Sequence, residues 1–305
     1  MSGSRCLRRG WGLAIAGWLI AGPIAVPASA SSPHPQASTV DPALWVMRDA
    51  DSTVYLFGTV HMLRAATVWE TPRVMAALDA STDIWFEVDA AAGAADLPRL
   101  VAAHGLSSGR PLSRLLSPED RRALSAAASR AGLTEEQLDG FRPWLASLIV
   151  GNAPMLEAGY DPAFGVETRL RERAAAAGKP VRGLETMEDQ FLYLADLPEE
   201  TQIDLLRYSI RSPETVLAEM DASVIAWTSG DMAGVERAVT LSMRRGSEPL
   251  YQAMLVRRSL LLADHLQTVL DGSGVAFVAL GAGYLAGEDS VPSVLADRGV
   301  AVTRE

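Results

Sequence analysis

The sequence predicts an α/β (α+β) fold, in which a central mixed sheet is built from N- and C-terminal segments around a large helical middle. Three observations lead to this prediction. Apolar strand-like runs cluster towards the two ends of the chain, and helical patterns with capping residues fill the middle. Two of the apolar runs end in the same turn, a glycine, two small or β-branched residues and a polar ring. A sheet with helices packed over it satisfies all three.

The N-terminal part of the domain is predicted to form a β-hairpin, a helix and a third strand. Polar residues separate the two hairpin strands, a proline suits the first turn of the helix, and an acid stands near the end of the third strand. These elements occupy residues 44–47 and 54–57, 71–81, and 84–89.

The helical middle extends from about residue 96 to 270 and is interrupted by one short strand at 181–186. Ser117 and Thr134 are typical N-cap residues followed by acids, and a further helix is predicted over residues 164–177. The chain then returns to β structure, with a strand, a helix and a final strand predicted at residues 275–280, 291–297 and 300–302.

The first thirty residues have the pattern of a secretory signal peptide. Three arginines precede an apolar stretch, and residues 28–30 have the small-x-small form of a cleavage site. An N-terminal transmembrane helix is the alternative, which Pro23 within the stretch disfavours. We therefore expect a signal peptide at 1–30, a flexible leader at 31–41 and a single domain at 42–305. The protein is predicted to be periplasmic or secreted, which N-terminal sequencing can test.

The composition excludes several classes of function. The only cysteine, Cys6, lies in the predicted signal peptide, so the mature chain has no disulfide and no thiolate for catalysis or metal binding. The whole chain carries a formal charge of −10, and removing a signal peptide with three arginines and no acid leaves −13. Such a surface disfavours nucleic acid and anionic membranes, and we expect no stable membrane insertion.

Four polar side chains are predicted at the ends of strands, namely His61, Glu87, Glu185 and Tyr284. The carboxyl ends of parallel strands share one edge of a sheet, where α/β proteins place their sites. One imidazole and two carboxylates can hold a divalent metal or act as acid and base. Each also has a structural alternative, as a hydrogen-bonded histidine or a glutamate paired with an arginine. Both interpretations stay open on spacing alone.

Gly58 and Gly281 stand three residues before the two rings, where we expect them to let the backbone leave the strand and another group approach closely. Glu167 and Glu188 flank the Glu185 region and could form an outer layer of the site. The sequence lacks a phosphate-binding loop, a dinucleotide fingerprint, a His-Glu-x-x-His helix and a Gly-x-Ser-x-Gly elbow.

The ordered motifs resemble the TraB/GumN family, which includes pheromone-shutdown proteins and the animal TIKI proteins. The resemblance spans about residues 44 to 304, and five motifs occur in the family's order. They are Phe57-Gly58-Thr59-Val60-His61-Met62, Phe86-Glu87-Val88, Gly183-Leu184-Glu185-Thr186, Trp227-Thr228-Ser229-Gly230-Asp231 and Phe277-Val278-Ala279-Leu280-Gly281-Ala282-Gly283.

The resemblance implies an α/β fold related to the erythromycin-esterase and ChaN-like group, and a metal-dependent peptidase activity as described for the TIKI branch. By the same resemblance, Glu87, Glu185 and Arg258 match catalytic positions. His61, Glu185 and Tyr284 match positions for a divalent metal, with manganese, cobalt, zinc or calcium as candidates.

Two positions depart from the family's pattern, because Tyr284 stands in place of the second histidine and Ser259 in place of an asparagine. Tyrosine binds a metal only as phenolate, and its ordinary pKa is about 10. Two hypotheses follow. The first is an exported metal-dependent hydrolase acting on a peptide or small molecule, and the second is a non-catalytic protein that keeps the fold and binds a ligand or partner. The substrate and the oligomeric state do not follow from the sequence.

Overall fold

The computed structural model describes residues 40–305, so the predicted signal peptide and most of the predicted leader lie outside the described residues. A six-stranded mixed sheet forms the centre of this part, with the strands in the order β4-β3-β5-β2-β1-β6. The strands are β1 (Leu44–Arg48), β2 (Ser52–Thr59), β3 (Asp83–Val88), β4 (Val181–Glu185), β5 (Gly274–Gly281) and β6 (Val302–Arg304).

Helices occupy most of the remaining described chain. They are α1 (Pro72–Ala80), α2 (Ala90–Gly93), α3 (Leu97–Leu100), α4 (Pro118–Arg130), α5 (Glu135–Leu138), α6 (Pro143–Gly151), α7 (Ala153–Glu157), α8 (Val166–Ala176), α9 (Met187–Ala195), α10 (Glu199–Ser209), α11 (Pro213–Thr228), α12 (Met232–Val235), α13 (Leu241–Gly246), α14 (Glu248–Tyr251), α15 (Arg258–Leu270) and α16 (Val291–Asp297). Shorter 3-10 turns lie at Ala94–Asp96, Leu112–Arg114, Pro162–Phe164 and Ala282–Leu285, and π-helical turns at Val101–Gly105, Glu236–Thr240 and Gln252–Arg257. Within residues 40–305, none of the helices combines the length and the apolar character needed to cross a bilayer.

The pairing of the strands confirms the predicted sheet built from both ends of the chain. β1 pairs antiparallel with both β2 and β6, whereas β2, β5, β3 and β4 are mutually parallel neighbours. The two strands with similar turns, β2 and β5, lie side by side, with Gly58 opposite Leu280 and Thr59 opposite Gly281. Four parallel strands therefore end at one rim of the sheet.

The starts of two elements were predicted wrongly, and β2 extends two residues beyond the predicted run at each end. The helix predicted over residues 164–177 begins at Val166, because Asp161 accepts a hydrogen bond from the Ala163 amide and starts a separate 3-10 turn before it. The last strand begins at Val302 and not at residue 300. The amide of Val300 still bonds to the carbonyl of Leu295 at the end of α16, so the chain leaves the helix only after that residue.

Helices cover both faces of the sheet. One face, with Phe57, Phe86 and Phe277, packs against α1, α8 and α11, and the opposite face packs against α15 and α16. A third cluster, around Trp144, belongs almost entirely to the helical middle, and its one sheet residue is Val88 at the end of β3. The helical middle therefore packs beside the rim where the parallel strands end.

Candidate functional site

All four polar residues predicted at strand ends lie along this rim. His61 follows β2 by two residues, Glu87 is the next-to-last residue of β3, Glu185 is the last of β4, and Tyr284 lies in the 3-10 turn after β5. Contacts join neighbouring strand ends, because Glu87 Oε1 accepts the amide N–H of Gly281 at 2.8 Å. The predicted convergence on one rim is therefore confirmed.

Arg258 is the centre of the buried part of the site. Its guanidinium donates through Nη1 to Glu185 Oε1, and its Nη2 lies 3.6 Å from Glu87 Oε2. The side chains of Arg258 and Glu185 are only 5% and 6% exposed. The guanidinium also lies 5.2 Å from the centre of the Tyr193 ring and beside the phenol of Tyr284. One permanent cation therefore pairs with the buried carboxylate of Glu185 and the mostly buried carboxylate of Glu87, which leaves the group with one net negative charge.

Local helix geometry places Arg258 in this position. It is the first residue of α15 and follows the π-helical turn Gln252–Arg257. A π turn changes the register of the side chains that follow it, and such turns are frequent at functional sites. Arg257, the preceding residue, is exposed, whereas Arg258 is 4% exposed and faces the rim.

His61 forms a separate pair with Glu167, near the start of α8. The imidazole Nδ1 lies 2.6 Å from Glu167 Oε1, and the His61 side chain is half exposed. Glu167 raises the pKa of His61 to about 9, with a smaller contribution from Glu87, although burial opposes this. Gly165 positions the pair, because a Cβ at this residue would lie 2.1 Å from the carbonyl oxygen of His61. Glu167, considered from the sequence as part of an outer layer, therefore contacts His61 directly. Glu188 instead pairs with the exposed Arg99.

Close backbone approach explains the glycines at the strand ends. A Cβ on Gly58 would lie 3.2 Å from the Cα of Ala282, in the turn after the neighbouring strand. At Gly183 it would lie 2.6 Å from the backbone nitrogen of Asp89 and the carbonyl oxygen of Glu185. Gly281 instead uses its N–H to hold Glu87. Close packing of neighbouring strands is therefore the reason for glycine at positions 58 and 183.

The side chains do not fit a metal held by His61, Glu185 and Tyr284. The Arg258 guanidinium already lies at two of these three residues, because it donates to Oε1 of Glu185 and stands beside the phenol of Tyr284. Burial and the charge of Glu87 raise the pKa of Tyr284 above its ordinary value in the metal-free protein, so a metal would have to displace the proton of a phenol that ionises less readily than usual. Within residues 40–305, no group of three or more His, Cys, Asp and Glu side chains is placed to hold a metal ion.

A cavity of about 490 Å³ opens beside Glu185, between α9 and α15. Tyr193, His265 and Arg257 contribute to its lining, and the His265 Nε2 atom lies 3.7 Å from Glu185 Oε1. Oε2 of Glu185 is buried and has no hydrogen-bond partner among the described residues. No motif in the sequence predicts that Tyr193 or His265 belongs to the site.

We expect the imidazole of His61 to titrate well above the ordinary value of about 6.5 in the protein freed of metal by a chelator. Its pKa should lie near 9 and should fall towards the ordinary value in Glu167→Gln, because that change removes the carboxylate that stabilises the imidazolium. NMR titration of labelled histidine measures this, since the whole chain has only four histidines.

Glu172→Gln is the matched control for the titration of His61. Glu172 lies on the same helix and pairs with the exposed Arg169, so its replacement should leave the His61 midpoint unchanged. The sign of the associated stability effect follows from the raised pKa. The stabilisation by the ion pair is complete below about pH 6.5 and is lost as the pH rises through about 9. It is small, because the imidazole is half exposed. Equal midpoints in wild type and Glu167→Gln would contradict the pairing.

Comparison with known proteins gives one match. The sequence model of the TraB/PrgY/gumN family matches residues 43–304, nearly the whole described chain. Comparisons with curated proteins and with solved structures gave no match.

Proposed function

The chain belongs to the TraB/PrgY/gumN family, and from this premise we propose that it is a ligand-binding protein whose site lies at the C-terminal rim of the sheet. Its ligand is a short peptide or a small polar molecule. One observation carries the proposal. The ends of β3 and β4 and the turn after β5 meet around Arg258, and the buried carboxylate of Glu185 keeps, beside a cavity, an oxygen that has no hydrogen-bond partner within residues 40–305. A buried acceptor of this kind is costly unless a ligand or water satisfies it.

The charge arrangement supports binding over metal-dependent hydrolysis. Arg258 already pairs with Glu87 and Glu185, the carboxylates that a divalent cation would use, and occupies Oε1 of Glu185. A divalent ion carries twice the charge of an ammonium group and would be repelled more strongly by the guanidinium, and within residues 40–305 no group of three or more His, Cys, Asp and Glu side chains is placed to ligate it. Tyr284, where the family pattern has histidine, has a raised pKa and acts as a hydrogen-bonding phenol.

Hydrolysis is the second candidate function, and the pair of His61 and Glu167 favours it. The half-exposed imidazole is oriented through Nδ1 by a carboxylate, an arrangement that suits a proton donor in acid–base catalysis. The charge of Glu87 also raises the pKa of His61, so the pair of His61 and Glu167 lies at the same rim as Glu87. The two candidate functions therefore differ in whether His61 is needed for turnover.

A library of short peptides separates the two functions. The protein is incubated with it after chelation, and again with added manganese, cobalt, zinc or calcium. Binding is followed by thermal shift and cleavage by mass spectrometry. We expect some peptides to stabilise the folded protein without being cleaved, because a ligand at a hundredfold excess over its Kd adds about 2.7 kcal/mol. The stabilisation should be the same with and without metal.

His61→Ala and His104→Ala are the matched variants for this experiment. His104 lies in the π-helical turn Val101–Gly105 of the helical middle, outside the rim. Cleavage that metal stimulates, and that only His61→Ala abolishes, would replace the binding proposal by the hydrolase. The absence of both stabilisation and cleavage across the library would also contradict it.

A further inference from the structure

We infer that the cavity between α9 and α15 binds an organic ammonium group carried on a small apolar body, with Glu185 Oε2 as its acceptor. The inference rests on the proposed binding function and names the chemistry of the ligand at the same rim. Its starting point is the unequal use of the two oxygens of Glu185. Oε1 accepts from Arg258, whereas Oε2 is buried and accepts from nothing in the described structure.

Glu185 is held in place independently of any ligand. Its side chain is 6% exposed and forms part of the cavity wall. Arg258 fixes its position through Oε1, and close packing at Gly183 fixes the strand that precedes it. The free oxygen is therefore a preorganised acceptor. A donor that reaches it would form a charge-assisted hydrogen bond in a desolvated place, which is stronger than a bond between neutral groups.

The lining of the cavity favours a cation over an anion. Three carboxylates, from Glu185, Asp189 and Asp196, face two guanidinium groups, from Arg257 and Arg258. The net charge of −10 on the whole chain acts in the same direction. A primary ammonium carries three N–H donors and no acceptor, so it matches an oxygen that can only accept.

The remaining walls of the cavity are apolar, which distinguishes an organic cation from a metal ion. They come from Leu192, Leu197, Pro198 and Leu261. Leu261 is 40% exposed, so part of this apolar surface is open to solvent. A ligand with an aliphatic body would remove it from water while its ammonium group reaches Glu185. The N-terminus of a short peptide and a free alkyl amine share this chemistry.

Entry of the ammonium group requires one side chain to move, because Glu185 Oε2 is not open to solvent. His265 is 40% exposed, and its Nε2 lies 3.7 Å from Glu185 Oε1, too far for a hydrogen bond. It is therefore weakly held, and it lines the cavity next to the carboxylate. Binding should displace His265 and change the NMR signals of its ring.

The test compares leucine amide with N-acetyl-leucine amide, which keeps the apolar body and lacks the ammonium group. Calorimetry at mildly acidic pH measures both affinities. We expect leucine amide to bind at least about tenfold more tightly, the ratio expected for one charge-assisted hydrogen bond. The ring signals of His265 should shift with leucine amide while those of His104 stay. Addition of pentylamine and of a Leu-Gly dipeptide then shows whether free amines, peptide N-termini or both are accepted.

Three variants locate the site. Glu185→Gln should remove the preference for leucine amide, and Leu261→Trp should block both ligands by filling the cavity. Asp264→Asn is the matched control, since Asp264 lies on the same helix and pairs with Arg298 outside the cavity. If Glu185→Gln does not fold, Leu261→Trp and the His265 signals locate the site without it.

Two outcomes would overturn the inference. One is equal binding of the two ligands, and the other is an unchanged preference in both Glu185→Gln and Leu261→Trp. Neither result contradicts the proposed binding function, which is supported if other peptides stabilise the protein without being cleaved. Metal-stimulated cleavage lost in His61→Ala would overturn the proposed function and leave the preference for an ammonium group measurable.

Discussion

Replacing Arg258 by methionine is expected to lower the free energy of unfolding by about 3–5 kcal/mol, because it leaves two buried carboxylates without their cation. Glu185 is 6% exposed and Glu87 17% exposed, so water replaces the guanidinium poorly at Glu185 and only in part at Glu87. Methionine keeps much of the volume of the side chain, and the lost charge therefore dominates over a cavity. Urea denaturation measures the effect as a lower midpoint at an unchanged slope.

Arg257→Met is the matched control for this experiment. Arg257 is the neighbouring residue and is exposed, and in the described part of the chain its side chain has no ion-pair partner. Its replacement should change the free energy of unfolding by less than about 0.5 kcal/mol. The double variant Arg258→Met with Glu185→Gln should recover part of the lost free energy of unfolding, because one of the two unpaired carboxylates is then replaced by a neutral amide. Equal stabilities of the two single arginine variants would show that Arg258 does not hold the rim together.

The order of the elements could be predicted from the sequence because each depends on local signals. The hairpin of β1 and β2 follows from two apolar runs around a polar turn, and α1 begins at the expected Pro72 with Thr71 as its N-cap. The two wrongly predicted starts lie where a cap extends or divides a helix. At Val300 the determining bond reaches back to Leu295, a detail that a pattern of apolar residues does not contain.

The site was predictable as a place but not as a set of contacts. The rule that parallel strands end at one rim brought His61, Glu87, Glu185 and Tyr284 together correctly. It could not say which partner each would take. Glu185 and Arg258 are 73 residues apart, and the side chain of Arg258 reaches the rim only from the helix that follows a π turn.

The partner of His61 was equally hidden from the sequence. In the sequence, Glu167 is one of several acidic residues on α8. It contacts the imidazole because the backbone at Gly165, just before α8, packs directly against the backbone of His61. Contacts of this kind depend on where a helix begins in space. Residue patterns predict that a helix exists much better than they predict its side-chain partners.

Replacing Trp227 by alanine is expected to lower the free energy of unfolding by about 3–5 kcal/mol, the range for a large aromatic side chain removed from a core. Trp227 is 1% exposed, and its ring centre lies 6.1 Å from that of Phe57 and 6.2 Å from that of Trp69. Its Nε1–H donates to the carbonyl of Gly58 at 2.9 Å. The variant therefore loses packing and also leaves a buried carbonyl without its donor, at the strand end that leads to His61.

Trp227→Phe separates the two contributions, because phenylalanine keeps an aromatic ring and cannot donate. It should cost about 1–3 kcal/mol, mostly from the unpaired carbonyl of Gly58. Trp85→Ala is the matched control, since Trp85 is only partly buried and meets Arg182 on the opposite face of the sheet, and it should cost less than Trp227→Ala. If Trp227→Phe is as stable as wild type, the hydrogen bond to Gly58 does not fix the turn. In that case apolar packing alone positions His61 at the rim. The midpoint of the His61 titration should then be the same in wild type and in Trp227→Phe.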